Sequence, residues 1–179
     1  MILSVIIVVA ATLGVLGAGS ALTEITPWYR SLRNPSWRPP GWAFGPIWTV
    51  IAVFTAGSAL LAWNSATTEA ERATTIGLFA LNAVLNVARN LLFFKLRRPD
   101  WALIEVIALW LSILALMIAF YPRAPWAAAL LLPYLLWVSI ATVLNLVTVR
   151  LNRPFGGGTA RGAAAPGARR TGGIVEGQK

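Results

Sequence analysis

WALIEVIALWLSILALMIAFY, residues 101–121, carries a single charged side chain, Glu105, in 21 positions. As a helix rising 1.5 Å per residue it would be about 31 Å long, matching the roughly 30 Å hydrocarbon thickness of a bilayer. Four more stretches read the same way, at residues 2–23, 42–63, 74–94 and 126–149. The expected fold class is therefore all-α, a five-helix transmembrane bundle. Composition agrees: 58% of the 179 residues are hydrophobic and 12% charged, well outside the balance of a soluble domain.

The bundle should occupy residues 1–152, with a polar, proline-rich connector at 24–41 between the first two spans. From residue 153 to 179 the sequence turns to Gly, Ala, Pro and Arg, which cannot bury enough apolar area to offset ordering entropy. It is expected to be a disordered basic tail. The first segment begins Met-Ile-Leu-Ser without Lys or Arg, so it lacks the positive leader of a cleaved signal peptide and is expected to stay. Its Ala10, Gly14 and Ala18 repeat at the spacing that lets helices approach closely. The same spacing serves packing within one bundle, so a homodimer is compatible with it but not required.

Basic residues give an orientation. The connector (Arg30, Arg33, Arg38), the turn after the third span (Lys95, Arg97, Arg98) and the C-terminal segment (Arg150, Arg153, Arg161, Arg169, Arg170, Lys179) hold twelve of the fifteen Lys and Arg residues. Cytoplasmic loops are enriched in these residues, so the N-terminus is expected outside and the tail in the cytoplasm. The net charge of +9 lies in short loops and a tail, which suits anionic lipid headgroups rather than a nucleic-acid groove.

Chemistry is restricted by what is missing. With no His and no Cys, the chain lacks thiol nucleophiles, imidazole or thiolate metal ligands, and the usual general base near neutral pH. No two of its six acidic residues sit together within a span. No catalytic residue, metal site or cofactor is expected from the residues themselves, and a haem iron would find neither axial ligand.

The connector has its own signature. Residues 28–49 read WYRSLRNPSWRPPGWAFGPIWT, with Trp28, Trp37, Trp42 and Trp48 inside 21 positions. Any one such ring can be an interfacial anchor. Pro39 and Pro40 lack backbone donors and disfavour helix at Arg38, so they should hold the chain extended ahead of the second span. The spacing W-Y-x-x-L-x-x-P-x-W-x-P-P-x-W-x-x-G-P-x-W, joined to LNVARNLLFF at 85–94 and PYLLWVSIATVLN at 133–145, resembles the tryptophan-rich sensory protein/translocator protein family. The likeness covers residues 1 to about 152.

That resemblance implies a five-helix bundle, often dimeric, that binds protoporphyrin IX-like tetrapyrroles and other apolar molecules beneath the first connector. It implies a receptor, sensor or transport role, with light- and oxygen-dependent porphyrin breakdown through Trp28, Trp48 and Trp137 as an alternative, and a structural or regulatory membrane protein with a diverged pocket as another. By motif position Trp28, Tyr29, Trp48, Asn86, Trp137 and Ala141 match the family's pocket-lining residues. Trp48 and Trp137 could equally fill bundle core. Arg30, Arg33 and Arg38 are placed in sequence to meet ligand carboxylates at the mouth or lipid headgroups, and Pro39 and Pro40 to fix a lid.

Three positions depart from the pattern. Arg89 stands where an aromatic residue is usual, Asn34 where lysine is common, and Leu146 and Val147 where a sterol-recognition pattern needs tyrosine, which weakens any expectation of sterol binding. A charge at the depth of Arg89 needs a partner. If the third and fourth spans form a hairpin turning near Arg97, Glu105 lies at the same depth, and the two are expected to pair. The pair would be structural, or Arg89 would face the cavity beside Asn86 and bind an anionic ligand group.

Overall fold

The structure, a computed structural model, describes residues 2–155; the expected tail from residue 156 onward lies outside them. The described residues form seven α-helices, α1 (Ile2–Leu22), α2 (Pro27–Ser31), α3 (Phe44–Asn64), α4 (Glu69–Asn90), α5 (Pro99–Phe120), α6 (Pro125–Ala129) and α7 (Leu132–Asn152), of which all but α2 make up five spans. No strand occurs among the described residues. Helices α1, α3, α4, α5 and the α6–α7 pair are each long and apolar enough to cross a bilayer. Around the bundle α1 packs on α3 and α4, α4 on α5, α5 on α7, and α7 on α3, closing a ring of five.

Helix α5 shows how the sequence selects this arrangement. Its buried side chains Ala102, Val106, Leu109, Ile113, Leu116 and Phe120 recur at alternating intervals of four and three, the 3.5-residue seam of a coiled-coil face. Its opposite face, with Ile104, Ile107, Leu111 and Ile118 exposed, is just as apolar. A helix apolar on all sides has lipid as its outer neighbour. In α1 no residue is buried, so most of its surface is left for lipid.

Several boundaries differ from the expected ones. The third span starts at Glu69 rather than 74 because Thr68 and Glu71 form a capping box: Thr68 Oγ1 accepts from the Glu71 N–H at 3.2 Å and Glu71 Oε2 from the Thr68 N–H at 3.2 Å. These contacts satisfy N–H groups that a bare helix start leaves unpaired. At its other end α4 widens into a π turn over Leu91–Lys95. Arg97, at φ 52°, then reverses the chain into α5, confirming the hairpin. The fifth span is broken. Pro133 lies in the first turn of α7 and has no N–H to offer the Ala129 carbonyl four residues back, and just before it the Leu131 N–H makes a tighter turn bond to Ala128 O at 3.1 Å. The Ser58 hydroxyl donates to Ala127 O at 2.7 Å, bringing α3 and α6 close enough that a Cβ on Gly57 would lie 3.3 Å from Leu130 Cδ1.

The expected small-residue face of α1 is corrected at two of its three positions. Ala10 and Gly14 are exposed and Ala18 is half-buried, and a Cβ at Gly14 would meet nothing within 4 Å. The inward stripe runs through Ser4, Val8, Thr12, Val15, Leu16, Ala18 and Gly19, where a Cβ on Gly19 would sit 3.2 Å from Asn90 Nδ2. Small and medium side chains four apart set this contact.

Candidate functional site

The connector is more ordered than an extended strap. Thr26 caps α2 by accepting from the Tyr29 N–H at 3.3 Å, and Pro27 at the first position of that turn brings no donor to satisfy. Two contacts tie the segment to its neighbours and a third folds it on itself. Glu24 pairs with Lys95 across the gap between α1 and the π turn. Asn152, at the end of α7, accepts from the Arg33 N–H and donates to the Arg33 carbonyl, both at 2.8 Å. Arg38 donates to the Tyr29 hydroxyl, with its guanidinium 5.0 Å from that ring's centroid. Pro40 precedes a short 3-10 turn at Gly41–Ala43 that leads directly into α3, so the proline pair does mark the start of the second span.

Docking of α2 builds an aromatic layer. Trp28 meets Phe93 edge-on at 6.4 Å between centroids, Tyr29 meets Phe93 at 6.2 Å and Phe94 at 5.3 Å, and Phe93 and Phe94 lie 5.0 Å apart. These separations fall in the range where edge-to-face and tilted pairs attract. Further into the bundle is a second layer. Trp48 of α3 meets Tyr134 of α7 edge-on at 6.0 Å, and Phe44 meets Trp137 at 5.6 Å. Arg89 lies against the second layer, its guanidinium carbon 5.7 Å from the Trp48 ring centroid.

A polar ladder backs the second layer. Asn82, Asn86 and Asn90 lie four residues apart on α4, and all three are buried. Asn82 donates to Ser112 Oγ at 2.8 Å, Asn86 donates to the Tyr134 hydroxyl at 2.8 Å, and that hydroxyl donates to Asn82 Oδ1 at 3.3 Å. Buried amides without lipid-compatible partners would be costly, so the ladder fixes α4, α5 and α7 at one depth.

The residues expected to line a site divide accordingly. Trp28 and Tyr29 meet in the outer layer, while Trp48, Asn86, Arg89 and Trp137 meet in the inner one. Ala141, one turn beyond Trp137, is half-buried on α7. Side chains fill the space between the inner rings: Trp137 is 9% exposed and Tyr134 3%, and both belong to the bundle core. The best-formed grooves lie elsewhere. One of about 250 Å³ runs between α5 and α7, lined by Ile107, Trp110, Ser139 and Thr142. Another of about 440 Å³ lies at the α5–α6 end, lined by residues including Met117, Tyr121 and Pro122. Neither includes a residue expected at the site. Of the expected mouth residues, Arg30 and Arg33 are exposed and only Arg38 turns toward the aromatic layer, where Tyr29 holds it.

The expected Arg89–Glu105 contact is not closed. The hairpin that reverses at Arg97 sets the two residues eight positions to either side of the turn, on adjacent helices α4 and α5. Among the described residues, however, the ion pairs within 4.0 Å are Arg72–Glu69, Lys95–Glu24, Arg98–Asp100 and Arg123–Glu71. Arg89 instead leans over Trp48, and both carboxyl oxygens of Glu105 are buried without a hydrogen-bond partner. The sequence reading passed over Tyr134, Asn82, Phe44, Phe93 and Phe94. The Asn82/Asn86/Asn90 period was the available signal for the first two.

Comparison with known proteins gives one answer over nearly the whole bundle. A sequence model described as the TspO/MBR family matches residues 5–150. The chain is 33% identical over 153 residues to the tryptophan-rich protein TspO of Chlorobaculum tepidum, covering 84% of this chain and 97% of that one. It is 35% identical over 132 residues to the human translocator protein, covering 73% and 78%. It is also 33% identical over 142 residues to the tryptophan-rich sensory protein of Cereibacter sphaeroides, covering 79% and 87%.

Proposed function

The chain belongs to the TspO/MBR family and is a multi-pass integral membrane protein, and from that premise we propose that it binds flat, apolar ligands of the tetrapyrrole class, with protoporphyrin IX as the type, and acts as their sensor or translocator. The names of its relatives, translocator protein and tryptophan-rich sensory protein, support the role. The observation that carries the ligand class is the pair of aromatic layers at the connector end, Trp28 and Tyr29 on Phe93 and Phe94 and then Trp48 and Trp137 on Tyr134 and Phe44, with the Arg89 guanidinium over Trp48. Broad π faces suit a planar macrocycle, and indole N–H groups can donate to its carboxylates.

Entry requires the layers to part. The connector is the element to move, because the contacts of Glu24 with Lys95 and of Arg33 with Asn152 are all that tie it to its neighbours by side-chain hydrogen bond or ion pair in the described residues. Lifting α2 away from Phe93 and Phe94 would let a macrocycle reach Trp48 and Trp137. In the same reading the connector end faces the cytoplasm, and Arg30 and Arg33 meet anionic headgroups there.

Tryptophan-fluorescence quenching by protoporphyrin IX of the detergent-purified protein tests the reading, with correction for absorption by the porphyrin. Saturable quenching in the wild type, with affinity lowered about tenfold by Trp48→Phe or Trp137→Phe, is expected. Quenching that rises linearly and is indifferent to both changes would overturn it.

A further inference from the structure

Among the described residues, Arg89 and Glu105 are the two ionisable groups that the fold places within the bundle, away from its ends, and leaves without a direct partner. Arg89 closes no ion pair among the described residues and lies against Trp48. Glu105 has both oxygens buried and unbonded. A carboxyl so placed gains little by ionising unless a cation compensates, and a guanidinium so placed gains much from any anion that arrives. Resting on the ligand reading above, we propose that Glu105 is the exchangeable counter-ion of Arg89, so that the site takes ligands bearing a carboxylate when Glu105 is protonated and releases them when it ionises.

The surroundings leave few other groups to take that part. Helix α4 carries Arg89 as far before the Arg97 turn as α5 carries Glu105 after it, and the Tyr134 hydroxyl of α7 is already committed to Asn86 and Asn82. Helix α6, PWAAA, carries no titratable group. On the π turn Lys95 is held by Glu24, and at the start of α5 Asp100 is bridged twice by Arg98, at 2.9 and 2.6 Å. Tyr29, from the connector, is bonded to Arg38. An incoming carboxylate would accept charge-assisted bonds from Arg89, and protonated Glu105 could add its O–H as a further donor. When the Glu105 proton leaves to bulk water, the new carboxylate neutralises Arg89 and repels the ligand's.

The sign follows from linkage. Binding of an acidic ligand favours the form of Glu105 that carries the proton, so acidic-ligand affinity falls as pH rises through the Glu105 titration, by up to about tenfold per pH unit. A neutral analogue does not compete with Glu105 and keeps its affinity. The probes are protoporphyrin IX, whose propionates are ordinary carboxylic acids ionised above about pH 6, and its dimethyl ester, which has the same ring and no acid.

Quenching titrations with both probes from about pH 6 to about pH 9 read the ratio of acid to ester affinity. In the wild type the ratio is expected to fall at least tenfold across the range. In Glu105→Gln, which is neutral at every pH, it should stay at the wild type's low-pH value, and in Arg89→Leu it should be small throughout. A flat wild-type ratio, or an equal fall in Glu105→Gln, would overturn the proposal while leaving ester binding, and the ligand reading with it, intact. Failure of both probes to bind saturably at any pH would overturn the ligand reading itself. The wild-type profile needs no variant to fold, so the proposal is exposed to refutation even where the substitutions destabilise the bundle.

Discussion

Replacing Tyr134 with phenylalanine removes one oxygen from the most connected polar group in the bundle. That hydroxyl accepts from Asn86 at 2.8 Å and donates to Asn82 at 3.3 Å, at 3% exposure. The ring stays, with its edge contact to Trp48, so the change is confined to hydrogen bonding. Side-chain bonds inside membrane bundles average about 0.6 kcal/mol and reach about 1.7, so the short bond and the longer one together give about 1–2 kcal/mol. Part of the loss is the amide hydrogen left unpaired on Asn86 and the Oδ1 left without its donor on Asn82, whose Nδ2 keeps its bond to Ser112. Reversible unfolding in mixed micelles, followed by tryptophan emission, measures the change. A double-mutant cycle with Asn86→Leu should recover most of the energy as coupling. A Tyr134→Phe protein as stable as the wild type, or additive losses in the cycle, would refute the ladder as the element that fixes α4 against α7.

Three further substitutions probe the points where sequence sets geometry. Gly57→Leu puts a side chain into the 3.3 Å approach of Leu130 and is expected to destabilise the bundle by about 1–3 kcal/mol in the same unfolding assay, whereas Gly14→Leu, facing open space, should be near neutral. Arg97→Gly relieves a left-handed backbone at φ 52°, worth about 1–2 kcal/mol, against about 0.5–1 kcal/mol from glycine's greater freedom when unfolded. The net gain should be about 0.5–1 kcal/mol, and a loss would show that the Arg97 side chain contributes more than its backbone costs.

The spans were legible because the property that defines them, apolar length, is written residue by residue and needs no tertiary partner. The hairpin between α4 and α5, and with it the facing of Arg89 and Glu105, followed from counting along two helices from one turn. Closure of that pair did not, because it depends on which neighbour the arginine prefers, and Trp48 reaches it from a third helix. Helix α2 was missed because a five-residue helix is held by docking on Phe93 and Phe94, contacts no local pattern records. The stripe on α1 was misjudged for a related reason: small residues mark faces that can approach closely, but Ser4, Val8 and Thr12 already offered one, and Ala10 and Gly14 were left outward. Tyr134 was hidden in a motif read for its tryptophan, although three asparagines at helical spacing in an apolar span required buried partners.

Where a ligand sits can be measured directly with a photo-reactive diazirine ester of protoporphyrin IX, irradiated on the purified protein and mapped by mass spectrometry of the labelled peptides. The account predicts labels in the connector around Trp28, on α4 from Asn86 to Phe94, and on α7 from Tyr134 to Ala141, all suppressed by excess protoporphyrin IX dimethyl ester. Labels confined to Ile107, Trp110 and Thr142, the groove on the outer face of α5 and α7, would contradict it and move the binding site to the lipid-facing surface.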